Sequence, residues 1–180
     1  MSFLLKLFRN RTRQMNITIC GLDGAGKTTI VKYLDSGRFV DTSPTLGINH
    51  ETLQLPKLQL NIFDLGGQTD FRGMWHEVNE KSDGVVFVVD RSNLMRLEEA
   101  KGVFKNIVET QVHEDVTILI LLHKSDLEEG ITRADFIHEF ELTTLGYNWA
   151  CFETSAINGA NIYDSFKWFI DQLKETLEIG

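Results

Sequence analysis

Gly21-Leu22-Asp23-Gly24-Ala25-Gly26-Lys27-Thr28-Thr29 decides how the chain is read. It follows Ile17-Thr18-Ile19-Cys20, an apolar run of strand character, and leads into Ile30-Val31-Lys32-Tyr33-Leu34, whose spacing is helical and unbroken. A G-x-x-x-x-G-K-[ST] segment between a strand and a helix forms a loop that cradles phosphate. Its glycines let successive backbone N–H groups point inward, and the helix N-terminus adds partial positive charge behind them. Lys27 is placed to reach the terminal phosphates, and the Thr28 hydroxyl to take one position on an octahedral Mg²⁺. The motif predicts binding of a nucleoside triphosphate.

Working outward, Asp35 to Gly47 is loop-like, punctuated by Gly37, Pro44 and Gly47. His50 to Leu55 and Lys57 to Phe63, split by Pro56, read as an antiparallel hairpin with one wet face. Leu58, Leu60 and Ile62 there alternate with Lys57, Gln59 and Asn61. A loop and helix run from Asp64 to about Lys81. Gly84 to Asp90 and Val116 to Leu122 are continuously apolar, as central parallel strands are. Helices are predicted over Leu94 to Thr110, Thr132 to Phe140 and Asn161 to Leu177, and a short last strand over Trp149 to Glu153. Strands alternating with helices predict an α/β fold with right-handed crossovers and a ligand at the strands' carboxyl ends.

The 180 residues suit one domain, 15–180, preceded by an arm, 1–14. Within a net charge of −8, that arm carries Lys6, Arg9, Arg11 and Arg13 and no acid, so it is +4 and the remainder −12. An acidic body argues against nucleic-acid binding. In the arm, Phe3, Leu4, Leu7 and Phe8 share one helical face, with Asn10 to Gln14 as a polar linker. A basic amphipathic helix this short needs a surface to lie on, a membrane or a groove of the body; the alternative is a disordered arm. No apolar stretch reaches the roughly 18 residues of a bilayer span, and Phe3 to Phe8 lacks the cleavage site of a secretory signal. Cys20 and Cys151 fall in or beside strands and are expected to be reduced core residues, which fits a cytoplasmic location.

Three further motifs carry chemistry. Asp64-Leu65-Gly66-Gly67-Gln68 closes a strand: Asp64 is placed to hold Mg²⁺ indirectly, Gly67 to bring its N–H to a γ-phosphate, and Gln68 to orient an attacking water. Pro44-Thr45-Leu46-Gly47 places a threonine whose hydroxyl could join the Mg²⁺ and whose N–H could meet the γ-phosphate, ordering that loop only with triphosphate. In His123-Lys124-Ser125-Asp126, the Asp126 carboxylate can accept from guanine's ring N–H and exocyclic amine, which adenine cannot offer, while the Lys124 stem packs on the base. Ser155-Ala156 would present backbone N–H groups to the guanine oxygen.

These motifs together resemble a small GTPase of the Arf family over essentially the whole chain; the paired glycines before Gln68 and Asp23 inside the phosphate loop favour it over Ras, Rab or Rho relatives. The resemblance implies a P-loop NTPase fold, the G domain of small GTPases, with a six-stranded, mostly parallel sheet and helices on both faces. It implies GTP/GDP and Mg²⁺ as ligands, slow intrinsic hydrolysis, and an exchange factor, an activating protein and effectors as partners. It also implies a monomer and an N-terminal helix released to a membrane surface with GTP, in trafficking or organelle organisation. No arginine stands at an obvious finger position, so one supplied in trans would be needed, worth ~10³–10⁵ in rate.

The chain departs from that pattern at three places. His123 replaces Asn, putting one bond between base loop and phosphate loop in question. Ser2 lacks the glycine that myristoylation needs, so membrane contact would rest on the helix or another modification. Ile48, Phe63 and Val78 replace an effector-facing aromatic triad. Trp75 reads equally as a partner anchor or a core side chain. An ATP-using P-loop kinase and a nucleotide-locked pseudo-GTPase scaffold stand as alternatives; the first lacks an Arg-rich lid, and the second is motivated by His123 alone.

Overall fold

The computed structural model of the protein describes residues 13–55 and 58–179. The expected N-terminal helix over Phe3 to Phe8, and the hairpin turn at Pro56, lie outside the described residues. The elements run β1 (Arg13–Cys20), α1 (Lys27–Ser36), β2 (Ile48–Leu55), β3 (Leu58–Leu65), α2 (Trp75–Asn79), β4 (Gly84–Asp90), α3 (Leu97–Thr110), β5 (Thr117–His123), α4 (Arg133–Glu139), β6 (Asn148–Thr154) and α5 (Ile162–Ile179). Short 3₁₀ turns at Thr69–Met74 and Leu94–Arg96 lead into α2 and α3.

Six strands form one sheet in the order β2-β3-β1-β4-β5-β6. Only the β2–β3 pair is antiparallel, running from Ile48 opposite Leu65 to Leu55 opposite Leu58. The alternating pattern of β3 thus marks the hairpin, and the unbroken apolar runs of β4 and β5 mark the centre. In β4, Val85, Phe87 and Val89 face a layer with Trp75, Phe104 and Phe136, while Val86 and Val88 face Ile30, Phe166 and Phe169. Each central strand therefore buries both faces, which is why neither could alternate.

Some boundaries differ from the sequence reading. Arg13 and Gln14, read as the end of a linker, are the first residues of β1, because β3 is long enough to pair Arg13 with Leu58. The first helix spans Lys27–Ser36 instead of starting near Ile30, since the phosphate loop ends at its N-cap, Gly26, with φ 95°. His123 closes β5 as a strand residue instead of opening a loop, paired with Thr154 of β6. Trp75 is a core side chain, fully buried, whose Nε1 donates to the Gly66 carbonyl at 3.2 Å. Cys20 and Cys151 are free and buried, and burial pushes both thiols up to about 12, so they are inert packing residues.

Helix α4 starts where Thr132 Oγ1 accepts the Asp135 N–H at 3.1 Å. Replacing Thr132 with alanine is expected to cost about 1 kcal/mol of stability. The check is a lower urea midpoint at unchanged slope.

Candidate nucleotide site

A cavity of about 380 Å³ opens over the carboxyl ends of β1, β3 and β5. Its floor is the loop from Asp23 to Thr29; its walls come from Phe39 to Thr45, Gly67-Gln68, His123 to Leu127 and Ala156-Ile157. Three loops far apart in sequence meet there because β1 lies between β3 and β4 and hands its loop to the middle of the sheet. All the sequence-predicted site residues line this cavity except Ala25, Asp64 and Ser155. Ala25 and Asp64 are buried behind the loop, and Ser155 reaches the cavity only through Asp126.

Beneath the floor, three oxygens from three elements crowd together. Thr28 Oγ1 donates to Asp64 Oδ2 at 2.6 Å, Thr45 Oγ1 lies 3.2 Å from the same oxygen, and the two hydroxyls are 2.7 Å apart. The second carboxylate oxygen, Asp64 Oδ1, is buried without a hydrogen-bond partner among the described residues. Burial pushes the Asp64 carboxyl up, opposed by the Thr28 hydrogen bond and the Lys27 charge. An unpartnered buried oxygen beside two hydroxyls is a donor set that suits a hard divalent cation. Lys27 is buried, its Nζ donating to the Gly21 and Leu22 carbonyls at 3.0 and 2.8 Å. Burial holds that ammonium below its ordinary range, and Asp64 pulls it back.

At the opposite end, Asp126 Oδ1 accepts from the Ser155 hydroxyl at 2.5 Å. The Ser155 N–H donates to the Ala160 carbonyl at 3.1 Å, so that half of the expected pair of backbone donors is already engaged. The Ala156 N–H has no partner among the described residues. Lys124, at φ 63°, sends its ammonium to Asp90 at 2.5 Å, leaving the stem along the cavity wall.

His123 stands between the two ends. Its Nδ1 lies 3.0 Å from Thr154 Oγ1, and its ring edge runs beneath the phosphate loop, where a Cβ on Gly26 would meet Cδ2 at 2.5 Å. Burial, reinforced by the Lys124 charge, lowers its pKa to about 4 from 6.5, so the native ring is neutral. A base depressed in the folded state contributes stability above its unfolded pKa and loses it as pH falls towards the folded one. Between pH 6.5 and pH 5 the protein is expected to lose about 1.5 kcal/mol through this ring alone. Urea unfolding at both pH values checks it: the loss should vanish from His123→Asn.

The sequence reading missed Phe39, Leu127 and Ile157, exposed apolar side chains on the cavity walls, and Thr42, whose hydroxyl lies 2.9 Å from that of Thr29. Leu127 and Ile157 carried a signal, an apolar residue directly after Asp126 and Ala156 in otherwise polar loops.

A glycine loop capping a helix, an oxygen cluster behind it and a carboxylate on the same cavity's wall define a P-loop nucleotide-binding protein of the small-GTPase class. The chain matches the ADP-ribosylation factor family over residues 1–173. It is 34% identical over 170 residues to ADP-ribosylation factor F of Dictyostelium discoideum, covering 93% of this chain and 89% of that one. It is 36% identical over 164 residues to ADP-ribosylation factor-like protein 1 of Saccharomyces cerevisiae, covering 91% and 90%. The fold superposes with TM-score 0.81 on the Arl6 BBS3 small GTPase of Trypanosoma brucei, solved with the nucleotide analogue GppNp, at 27% identity over 91% of this chain and 99% of that one. The chain belongs to the ADP-ribosylation factor family. It is a GTP-binding switch and a GTPase, with GTP and GDP as its ligands, in a family that works through exchange factors, activating proteins and effectors. Among the described residues no helix is long and apolar enough to cross a membrane.

Proposed function

We propose that the chain is a switch that reads the γ-phosphate of GTP at two loops, hydrolyses it slowly, and relies on a partner for full hydrolysis. The observation that carries this reading is the Thr28–Thr45–Asp64 cluster with its unpartnered Asp64 oxygen, since it joins the phosphate loop to a segment on a different element. Thr28 and Thr45, with Asp64 behind them, would hold Mg²⁺, which supplies charge neutralisation between phosphate oxygens when bound. Asp23 to Thr29 hold the phosphates, Lys27 among them; Thr45 and Gly67 sense the last one; and Gln68 orients the water. Guanine is read by Asp126 and the Ala156 N–H, supported by Ser155, the Lys124 stem and His123. Moving such a switch from 1:99 to 99:1 takes about 5.5 kcal/mol of differential binding, within reach of γ-phosphate contacts to two loops.

Among the described residues no arginine lines the cavity, which supports a finger supplied by an activating protein. We also propose that the chain acts as a monomer in trafficking or organelle organisation, as the family resemblance implies, with peripheral membrane contact supported by the basic, apolar composition of residues 3–13. Sedimentation with anionic vesicles in the GppNp state and not the GDP state is its test.

The decisive experiment is competition of GTP, GDP and ATP for the purified protein with Mg²⁺, beside Asp126→Asn. The expected result is a preference for GTP over ATP of about a thousandfold or more, collapsing in the variant because the amide cannot accept both guanine N–H groups as the Asp126 carboxylate can. Equal binding of ATP, indifferent to Asp126, would overturn the assignment of the guanine end.

A further inference from the structure

Asp23 sits on the phosphate loop and Gly67 follows β3, yet their backbones touch: a Cβ on Gly67 would lie 2.2 Å from Asp23 N, 2.3 Å from Leu22 C and 2.6 Å from Gly21 O. A chain of four charged side chains leads from one to the other by a different route. Arg96 grips Asp23 twice, at the side chain (Nη2 to Oδ1, 2.9 Å) and at the main-chain carbonyl (Nη1, 3.2 Å). Its Nε donates to Glu99 Oε2 at 2.8 Å. The other oxygen of Glu99 accepts from Arg72 Nη2 at 2.6 Å, and Arg72 Nε donates to the Gly67 carbonyl at 3.1 Å. The circuit closes on itself through the Gly67–Asp23 contact. Its outer side runs along the start of α3, which cannot flex as a loop does.

We propose that Arg72, Glu99 and Arg96 are positioning residues that press Gly67 onto the phosphate loop and so set how well the site distinguishes a nucleoside triphosphate from a diphosphate. This rests on the reading of Gly67 as the backbone that faces the γ-phosphate. None of the three lines the nucleotide cavity, so any influence on nucleotide passes through Gly67 or Asp23. Both carboxylates are held below their usual range, Asp23 chiefly by the Arg96 hydrogen bond and Glu99, at about 2, by Arg96 and then Arg72; the circuit is charged at every physiological pH. Each link is partly exposed, from 18% to 43% at the side chains, so its strength comes from forked arginine geometry and from membership of a network. It should therefore weaken with salt. The Gly66 end is fixed independently, by its N–H to the Gly47 carbonyl at 2.7 Å and by Trp75, which leaves the relay to govern Gly67.

The test compares wild type, Glu99→Gln, Arg72→Met and the conservative Glu99→Asp in titrations with fluorescent GDP and with GppNp, at low and high KCl. Glu99→Gln and Arg72→Met are expected to lose about tenfold in affinity for GppNp relative to GDP, a coupling of ordinary size between linked sites. GDP affinity should hold, which also reports that the variants are folded, and Glu99→Asp should recover part of the loss. High salt should erode the discrimination of wild type and leave the two variants unmoved. An unchanged ratio, or parallel loss of both nucleotides as a merely structural role would give, overturns the relay. A wild type that binds no guanine nucleotide overturns the proposed function with it, whereas a wild type that binds while the variants keep its ratio sinks the relay alone.

Discussion

Gly67→Ala is expected to lower affinity for a triphosphate analogue by roughly 10- to 100-fold, with GDP binding and thermal stability little changed. The three atoms that a Cβ would overlap, Asp23 N, Leu22 C and Gly21 O, are all backbone, so none can swing aside. Carbon contacts relax at about 3.5–4.0 Å, and a Cβ at 2.2 Å from Asp23 N must push one loop away by more than an ångström. The phosphate loop is anchored at the centre of the sheet, so the segment after β3 gives way. Gly67 N–H and Gln68 move with it. Losing one charge-assisted hydrogen bond of about 1.5–3 kcal/mol produces the stated range. The β2–β3 ladder ends at Ile48 opposite Leu65, ahead of the disturbance, which is why the fold should survive. Parallel titrations with GppNp and GDP, beside a melting curve, read the effect. Undiminished triphosphate affinity in the variant would remove Gly67 from the γ-phosphate.

Gly21→Ala should show the converse, a damaged fold. Gly21 has φ 137°, a region closed to side chains, and its Cβ would stand 2.2 Å from the carbonyl oxygen of Val88, a buried residue of β4. Left-handed strain of about 1–3 kcal/mol adds to an overpacking term of about 1–3 kcal/mol, together a large share of a stability of about 5–15 kcal/mol. Urea unfolding in saturating GDP should give a much lower midpoint. Gly24→Ala is the internal comparison: no atom of the described residues lies within 4 Å of its Cβ, so the fold bears only the cost of the φ of 74°, and the midpoint extrapolated to zero GDP should fall much less. Equal losses in the two variants would mean that the Val88 contact is relieved without cost.

How far the sequence could be read depended on whether the information was local. Asp64 and Gln68 stood in a recognisable order with the phosphate loop, and the hairpin and central strands declared themselves by their periods. Nothing local to Arg96 or Glu99 points to Asp23, 73 positions away from Arg96, because the contact exists only once α3 lies beside the phosphate loop. His123 could be seen as a departure, but its packing under Gly26 depends on β5 and β1 ending side by side around β4. The Ser155 N–H looked free, since Ala160 returns to it only through the turn that precedes α5.

The sequence by itself determined the α/β class, the glycine loop between strand and helix, the carboxylate loop after β5 and the family resemblance, because each rests on residue types at fixed short spacings. Only the tertiary structure decided that Trp75 is core and that the Ser155 hydroxyl bonds Asp126 while its N–H is taken by Ala160. It alone placed His123 as a neutral buried wedge, and Asp23 and Gly67 in a circuit closed by three side chains. Those outcomes turn on which elements lie side by side, and adjacency in a sheet is set by long-range burial, which no short window of sequence contains.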